Sequence, residues 1–90
     1  MDVEFDPAKR RAILDARKLD MADAGKIFDS PTLTVEDDRK DYGELRYITI
    51  GRLGSRMVVL VWTPRGEARR FISLRKANGK EQKAYSPRLR

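Results

Sequence analysis

The 90-residue chain contains no cysteine and no histidine. The absence of cysteine excludes disulfide bonds, thiolate catalysis, and zinc or iron–sulfur sites held by thiolates. The absence of histidine removes the commonest general acid–base group and the commonest metal ligand. Any catalysis therefore has to use arginine, lysine, tyrosine, carboxylates or hydroxyls, and we expect neither a metal nor a cofactor.

Long apolar segments are also absent. The longest apolar run, from Met57 to Trp62, is far shorter than the roughly 20 residues that a membrane-spanning helix needs. The N-terminus is acidic and has a helical pattern, which is unlike a signal peptide. We therefore expect a cytoplasmic protein with no membrane contact, folded as a single domain over residues 1–90.

Acidic residues are scarce in the second half of the chain. Residues 46–90 carry 12 basic and 2 acidic side chains, a net charge of +10, whereas residues 1–45 carry 8 basic and 12 acidic ones, a net charge of −4. Such one-sided basic charge is typical of proteins that bind phosphate groups. The distribution favours a nucleic acid or an acidic protein partner over a soluble domain with a basic tail.

Helix signals occupy the first third of the chain. Asp6 caps a helix that has Pro7 at its first position, and Asp20 caps a second helix that ends at Ser30-Pro31. The segments that follow are predicted to be strands at 32–35, 45–51, 56–63 and 67–74, a third helix at 75–85 and a flexible basic tail at 86–90. This order predicts an α+β fold, with helices packed on one face of an antiparallel sheet of about four strands.

Several short motifs occur along the chain between Phe5 and Tyr85. They are Phe5-Asp6-Pro7-Ala8-Lys9; Asp20-Met21 with Ala24 and Ile27-Phe28-Asp29; Gly43-Glu44, Arg46-Tyr47 and Gly51; and Thr63, Arg65-Gly66, Arg70, Ile72-Ser73, Arg75-Lys76-Ala77, Glu81 and Tyr85. In order and spacing they resemble the BrnT toxins of bacterial type II toxin–antitoxin systems. Where that family often has His-Gly at the end of the first helix this chain has Arg17-Lys18, and it has Trp62 where a third-strand histidine is common.

The resemblance implies a RelE-like fold and a metal-independent endoribonuclease that inhibits translation and growth. It further implies RNA as the substrate and a cognate antitoxin, BrnA-like and of the ribbon–helix–helix type, that neutralises the toxin by laying a segment over its basic face. Together the two proteins are expected to repress their shared promoter, so operator DNA would be bound only through the antitoxin.

Cleavage of RNA through its own 2′-hydroxyl needs groups that align the attack and stabilise charge on the phosphoryl oxygens. Arginine suits this task because its planar fork binds phosphate oxygens and keeps its proton. We predict that Arg46, Arg70 and Arg75 converge on one phosphodiester, with Lys76 supporting the phosphate or the leaving group. The alternatives are that Arg70 protects an edge strand from aggregation and that Lys76 is an ordinary solvated residue in the first turn of a helix.

The sequence offers further candidates around this arginine set. Arg65, Arg69 and Tyr85 are predicted to bind the substrate, and Glu44 and Glu67 are possible general bases. The two glutamates are alternatively surface charges at strand ends, and Tyr85 alternatively packs the last helix onto the sheet. Two other functions stay open: a nucleic-acid-binding module without catalysis, and an interaction protein whose basic face holds an acidic partner.

Overall fold

The fold consists of short helices and a single β-sheet. The structure is a computed structural model that describes residues 2–89. Its elements are β1 (Asp2–Glu4), α1 (Pro7–Arg17), a 3₁₀ helix η1 (Met21–Asp29), β2 (Leu33–Glu36), β3 (Tyr47–Leu53), β4 (Arg56–Arg65), β5 (Ala68–Lys76), α2 (Gly79–Tyr85) and a 3₁₀ turn η2 (Ser86–Arg88). The predicted α+β class is confirmed.

The sheet has five strands in the order β1-β5-β4-β3-β2. Strand β1 runs parallel to β5, and the other neighbours are antiparallel. The expectation of an antiparallel sheet of about four strands is therefore wrong. The RelE-like arrangement that the resemblance implied also does not match this five-stranded mixed sheet well. The sequence indicates a short extended segment at residues 3–5, but the three residues of β1 are too few to predict a paired strand. The strand exists because its backbone pairs with Ala68, Arg69 and Arg70.

The two N-terminal helices begin where the sequence predicts. The carboxylate of Asp6 accepts a hydrogen bond from the Ala8 amide, and that of Asp20 accepts one from the Ala22 amide, both at 2.9 Å. The second helix is a 3₁₀ helix, a type that its capping and proline signals do not specify. Its buried side chains recur every three residues, which matches the 3.0 residues per turn of this helix type. They are Met21, Ala24 and Ile27.

The C-terminal helix begins later than predicted. Strand β5 continues to Lys76 because Arg75 and Lys76 pair with Val59 and Val58 of β4. Helix α2 then starts after Asn78, whose side chain accepts a hydrogen bond from the Glu81 amide. No helix within residues 2–89 is long and apolar enough to cross a membrane.

The segment predicted to be a flexible tail is packed in the structure as far as it is described. Residues Ser86–Arg88 form η2, and Leu89 is only 5% exposed. Arg90, the last residue of the predicted tail, lies outside the described residues. The end of the described chain therefore contributes to the core.

Apolar side chains pack on both faces of the sheet. On the helix face, the face toward α1 and η1, the core includes Leu60, Trp62 and Phe71. On the opposite face, called the second face below, Tyr85 and Leu89 join a smaller core with residues such as Ile50 and Val59. The C-terminal segment thus covers only part of the second face, and both cavities described below are lined by side chains on that face.

A β-bulge in β5 decides which side chains share the second face. Trp62 pairs with Phe71, but Val61 pairs with Ser73, so Ile72 is an extra residue on β5. In a regular strand, residues five apart lie on opposite faces. The bulge shifts the alternation by one residue and therefore puts Arg70 and Arg75 on the same face.

Candidate active site

A cavity of about 230 Å³, called the arginine cavity below, lies toward one end of the strands, between side chains on the second face of the sheet and the N-terminal turn of α1. It brings together four of the predicted site residues, Arg46, Arg65, Arg70 and Glu44. Its complete lining is Asp6, Lys9, Glu44, Arg46, Thr63, Arg65, Arg70, Phe71 and Ile72. Four of these side chains are cationic and two are anionic, so the cavity is suited to hold an anion.

Strand pairing places Arg46 and Arg70 on either side of Thr63. Thr63 pairs with Arg70 of β5, and Arg46 directly precedes the Tyr47–Trp62 pair of β3 and β4. Neighbouring strands are roughly 4.8 Å apart, so the two arginines are about 10 Å apart at their Cα atoms. Two side chains of this length can reach one group held above Thr63.

The loop between β2 and β3 holds Arg46 in place. The Asp37 amide donates to the Arg46 carbonyl at 2.8 Å, which closes the ends of the loop. The Tyr42 ring lies 4.1 Å from the guanidinium carbon of Arg46, and Glu44 accepts a hydrogen bond from Arg46 Nε at 3.0 Å. Within residues 2–89 the two terminal nitrogens of Arg46 make no hydrogen bond, so they remain available for a phosphate.

A buried carboxylate organises the same loop. The side chain of Asp37 is 1% exposed and accepts two hydrogen bonds from the Arg39 guanidinium, at 2.7 and 2.8 Å. The Arg39 amide donates to the same carboxylate at 3.4 Å and the Tyr42 hydroxyl at 3.1 Å. The hydrogen bonds from Arg39, supported by Tyr42, lower the pKa of Asp37 to about 2, and Asp37 in turn raises the pKa of Arg39. Asp37 therefore stays ionised and acts as a structural anchor.

The other cations of the arginine cavity are held loosely. Arg70 forms one ion pair in the described chain, with Glu4 at 3.8 Å, and its side chain is 34% exposed. Arg65 and Lys9 are exposed and form no ion pair within residues 2–89. A bound anion would therefore meet three cations whose charges are not already neutralised by tight ion pairs.

A second cavity of about 360 Å³, called the sheet cavity below, lies further along the same face. It contains two other predicted residues, Arg75 and Tyr85. Its complete lining is Val35, Arg39, Ile48, Ile50, Val59, Val61, Ser73, Arg75, Glu81 and Tyr85. The floor is aliphatic, and the charged and hydroxyl-bearing side chains lie around it.

Arg75 is held by a carboxylate rather than placed beside Arg70. Its terminal nitrogens donate to both oxygens of Glu81, at 2.7 and 2.8 Å. This interaction, together with a hydrogen bond from the Asn78 amide, lowers the pKa of Glu81 to about 2, and it raises the pKa of Arg75. Arg75 lies five positions beyond Arg70 along β5, or up to roughly 16 Å away. The three predicted clamp residues thus share one face but do not line one cavity.

The remaining predicted residues line neither cavity. Arg69 lies on the helix face, where its guanidinium carbon is 3.8 Å from the Phe28 ring centre and 4.7 Å from that of Trp62, and burial lowers its pKa. Lys76 is exposed. It pairs with Val58 of β4, and the strand alternation puts its side chain on the helix face. Glu67 is exposed in the turn between β4 and β5.

Several residues of these cavities were not selected from the sequence. Lys9 reads there as a solvated charge on the polar side of α1, and Thr63 only as part of a motif. Arg39 lies in a segment that reads as a charged loop, and only the folded loop shows that it pairs with Asp37. Within residues 2–89, no group of three or more carboxylates is arranged to hold a metal ion.

Comparison with known proteins agrees with the motifs. A family model described as the ribonuclease toxin BrnT of type II toxin–antitoxin systems matches residues 5–81. The chain belongs to the BrnT family. None of the curated proteins compared with the chain matches it. The resemblance noted in the sequence is confirmed, and BrnT membership implies an RNA substrate and an antitoxin partner. All nine residues that line the arginine cavity lie within the matched span.

Proposed function

We propose that the protein is an endoribonuclease toxin that cleaves RNA by attack of a 2′-hydroxyl on the adjacent phosphorus, with Arg46 and Arg70 holding the phosphate. The observation that carries this proposal is the convergence of Arg46, Arg65 and Arg70 on one cavity. Arginines fixed around a phosphodiester stabilise the charge that develops on its oxygens during the displacement. The products are a 2′,3′-cyclic phosphate and a 5′-hydroxyl.

The displacement requires that one proton leaves the 2′-oxygen and another reaches the departing 5′-oxygen. Of the two glutamates considered as bases, Glu44 lines the arginine cavity, so we assign it the first role. Lys9 lines the same cavity and takes the supporting role at the leaving oxygen that the sequence suggested for Lys76. Arg65, exposed at the rim, binds the neighbouring backbone phosphate.

The partner of this toxin is proposed to be an antitoxin of the ribbon–helix–helix type that covers the second face. The net charge of +6 and the cationic cavity rims favour an acidic segment as the covering element. Contact with operator DNA is proposed to go through the antitoxin, and growth arrest is expected when the toxin is produced without it.

Cleavage of a defined RNA by variants of the purified protein tests the assignment. Removing one preorganised donor at a developing oxyanion typically costs 100- to 1,000-fold in kcat. We therefore expect Arg70→Ala and Arg46→Ala to slow cleavage by about 100-fold or more. Arg11→Ala is the matched control, because Arg11 is an exposed arginine on α1 whose ion pair with Asp15 is 3.6 Å long.

Two results of this experiment would contradict the proposal. If both cavity variants cleave as fast as Arg11→Ala, the arginine cavity is not the active site. If the unmodified protein binds the RNA but leaves it intact, the protein is a nucleic-acid-binding module without catalysis. The absence of histidine is the observation that favours this second candidate.

A further inference from the structure

We propose that the sheet cavity binds a nucleobase of the RNA strand whose phosphate lies in the arginine cavity. This inference rests on the proposed function, which it extends from the phosphate to the base. It assigns a role to a part of the second face that the cleavage step does not use.

The two cavities are adjacent on one surface. Thr63 lines the arginine cavity and Val61 lines the sheet cavity, and both side chains lie on the second face of β4. Residues two apart on a strand are roughly 6.6 Å apart. This separation is within the reach of one nucleotide, so a phosphate above Thr63 can have its base, or that of the next nucleotide, above Val61.

The walls of the sheet cavity match the faces of a base. Single-stranded nucleic acids bind proteins through stacking on aromatic rings and guanidinium planes. The sheet cavity has one ring, Tyr85, and two guanidinium groups, Arg39 and Arg75, around its aliphatic floor. Its volume of about 360 Å³ lies within the usual range for small-molecule sites, roughly 300–1,000 Å³.

The cavity also has polar groups that can contact the edge of a base. The hydroxyls of Ser73 and Tyr85 make no hydrogen bond to another residue among residues 2–89. Oxygen Oε2 of Glu81 accepts one hydrogen bond, from Arg75, and so keeps the capacity for another. An apolar pocket with a few such groups is the usual form of a site that binds a flat heterocycle.

A protein segment is the competing occupant. The cavity extends to the edge strand β2, where Val35 is 49% exposed, and an apolar side chain of a partner would also fit the floor. We favour the base because the cavity adjoins the phosphate site on the same face and because arginine and tyrosine side chains line it. The experiment distinguishes the two occupants.

The test measures binding of non-cleavable pentanucleotides with 2′-fluoro sugars to the full chain, with one base removed at each position in turn. Stacking contributes roughly 1–3 kcal/mol per base, so we expect loss of one base to weaken binding about tenfold and loss of the others to have little effect. Ser73→Leu fills the cavity and should abolish the difference. Ser55→Leu in the exposed β3–β4 turn is the matched control and should keep it.

The outcomes separate this inference from the proposed function. Equal affinity of the unmodified protein for all abasic strands would overturn the nucleobase site alone, even if Ser73→Leu does not fold. If Ser73→Leu folds and keeps the base dependence while losing affinity for the acidic antitoxin, the occupant is a protein segment. If the unmodified protein binds none of the strands at low salt, the proposed function itself is wrong.

Discussion

Replacing Glu81 by glutamine tests whether Arg75 is available to RNA. The carboxylate of Glu81 accepts two hydrogen bonds from the Arg75 guanidinium, so the pair is nearly neutral to an approaching phosphate. Glutamine keeps an oxygen that can accept from the Asn78 amide, so the helix cap is retained. The substitution therefore removes one negative charge from the rim of the sheet cavity with little change in shape.

The size of the effect follows from simple electrostatics. A backbone phosphate bound by Arg75 on the side away from residue 81 would lie about 7 Å from that side chain, and one unit charge at this distance contributes about 0.6 kcal/mol in water, which is about threefold in affinity. A new contact with a single-stranded phosphate also makes the slope of log K against log salt steeper by about 0.7. The cost in stability should stay below about 1 kcal/mol, because Arg75 is 44% exposed and such ion pairs contribute little.

Fluorescence titration of a non-cleavable RNA at several salt concentrations measures both quantities. We expect Glu81→Gln to bind about threefold more tightly at low salt, with a steeper salt dependence. The double variant Glu81→Gln/Arg75→Ala is the control and should lose the gain. An unchanged salt slope in Glu81→Gln would refute the idea that Arg75 reaches the RNA once its partner carboxylate is gone.

Two further predictions concern stability. Lys18 has a positive φ of 57° at the end of α1, a conformation that suits glycine. We therefore expect Lys18→Gly to raise the free energy of unfolding by about 1 kcal/mol in urea denaturation. A lower free energy of unfolding would contradict this prediction. Asp20, Asp37 and Glu81 have folded-state pKa values of about 2, below their unfolded values of about 4, so their contribution is fully present above about pH 5 and is lost as pH falls toward 2. Melting temperatures between pH 5 and pH 2 should fall less steeply in Asp37→Asn than in the unmodified protein, and parallel curves would contradict the assignment.

Local signals predicted the N-terminal third well. Asp6 and Asp20 each have a helix directly after them, and Ser30-Pro31 ends the second helix, because capping and proline effects act within a few residues. For β1 the sequence indicates only a short extended segment at residues 3–5 and not a paired strand, because its partner is more than 60 positions away in β5. Only long-range pairing stabilises such a strand.

The boundary between β5 and α2 was predicted four residues too early, although the sequence contains the correct signal. Asn78 and Glu81 form a capping box, a spacing that marks a helix start, but both residues lie inside the helix predicted for 75–85. Arg75 and Lys76 were therefore assigned to the helix, whereas they are the last two residues of β5 and their side chains lie on opposite faces of the sheet.

The candidate site was predicted in part. The predicted residues Arg46, Arg65, Arg70 and Glu44 line one cavity because strand order brings the end of β4, the middle of β5 and the start of β3 together. The face on which Arg75 lies depends on the bulge at Ile72, and no local sequence pattern predicts that register shift. The contribution of Lys9 depends on the packing of α1, which is a long-range property.

The position of β5 between β1 and β4 has a consequence for synthesis of the protein. The strand that carries Arg70 is made after all the strands it joins, and it is hydrogen-bonded on both sides. A nascent chain that has not yet released residues 68–76 lacks the strand that joins β1 to β4 and one wall of the arginine cavity. The sheet and the arginine cavity therefore form only after residues 68–76 have left the ribosome.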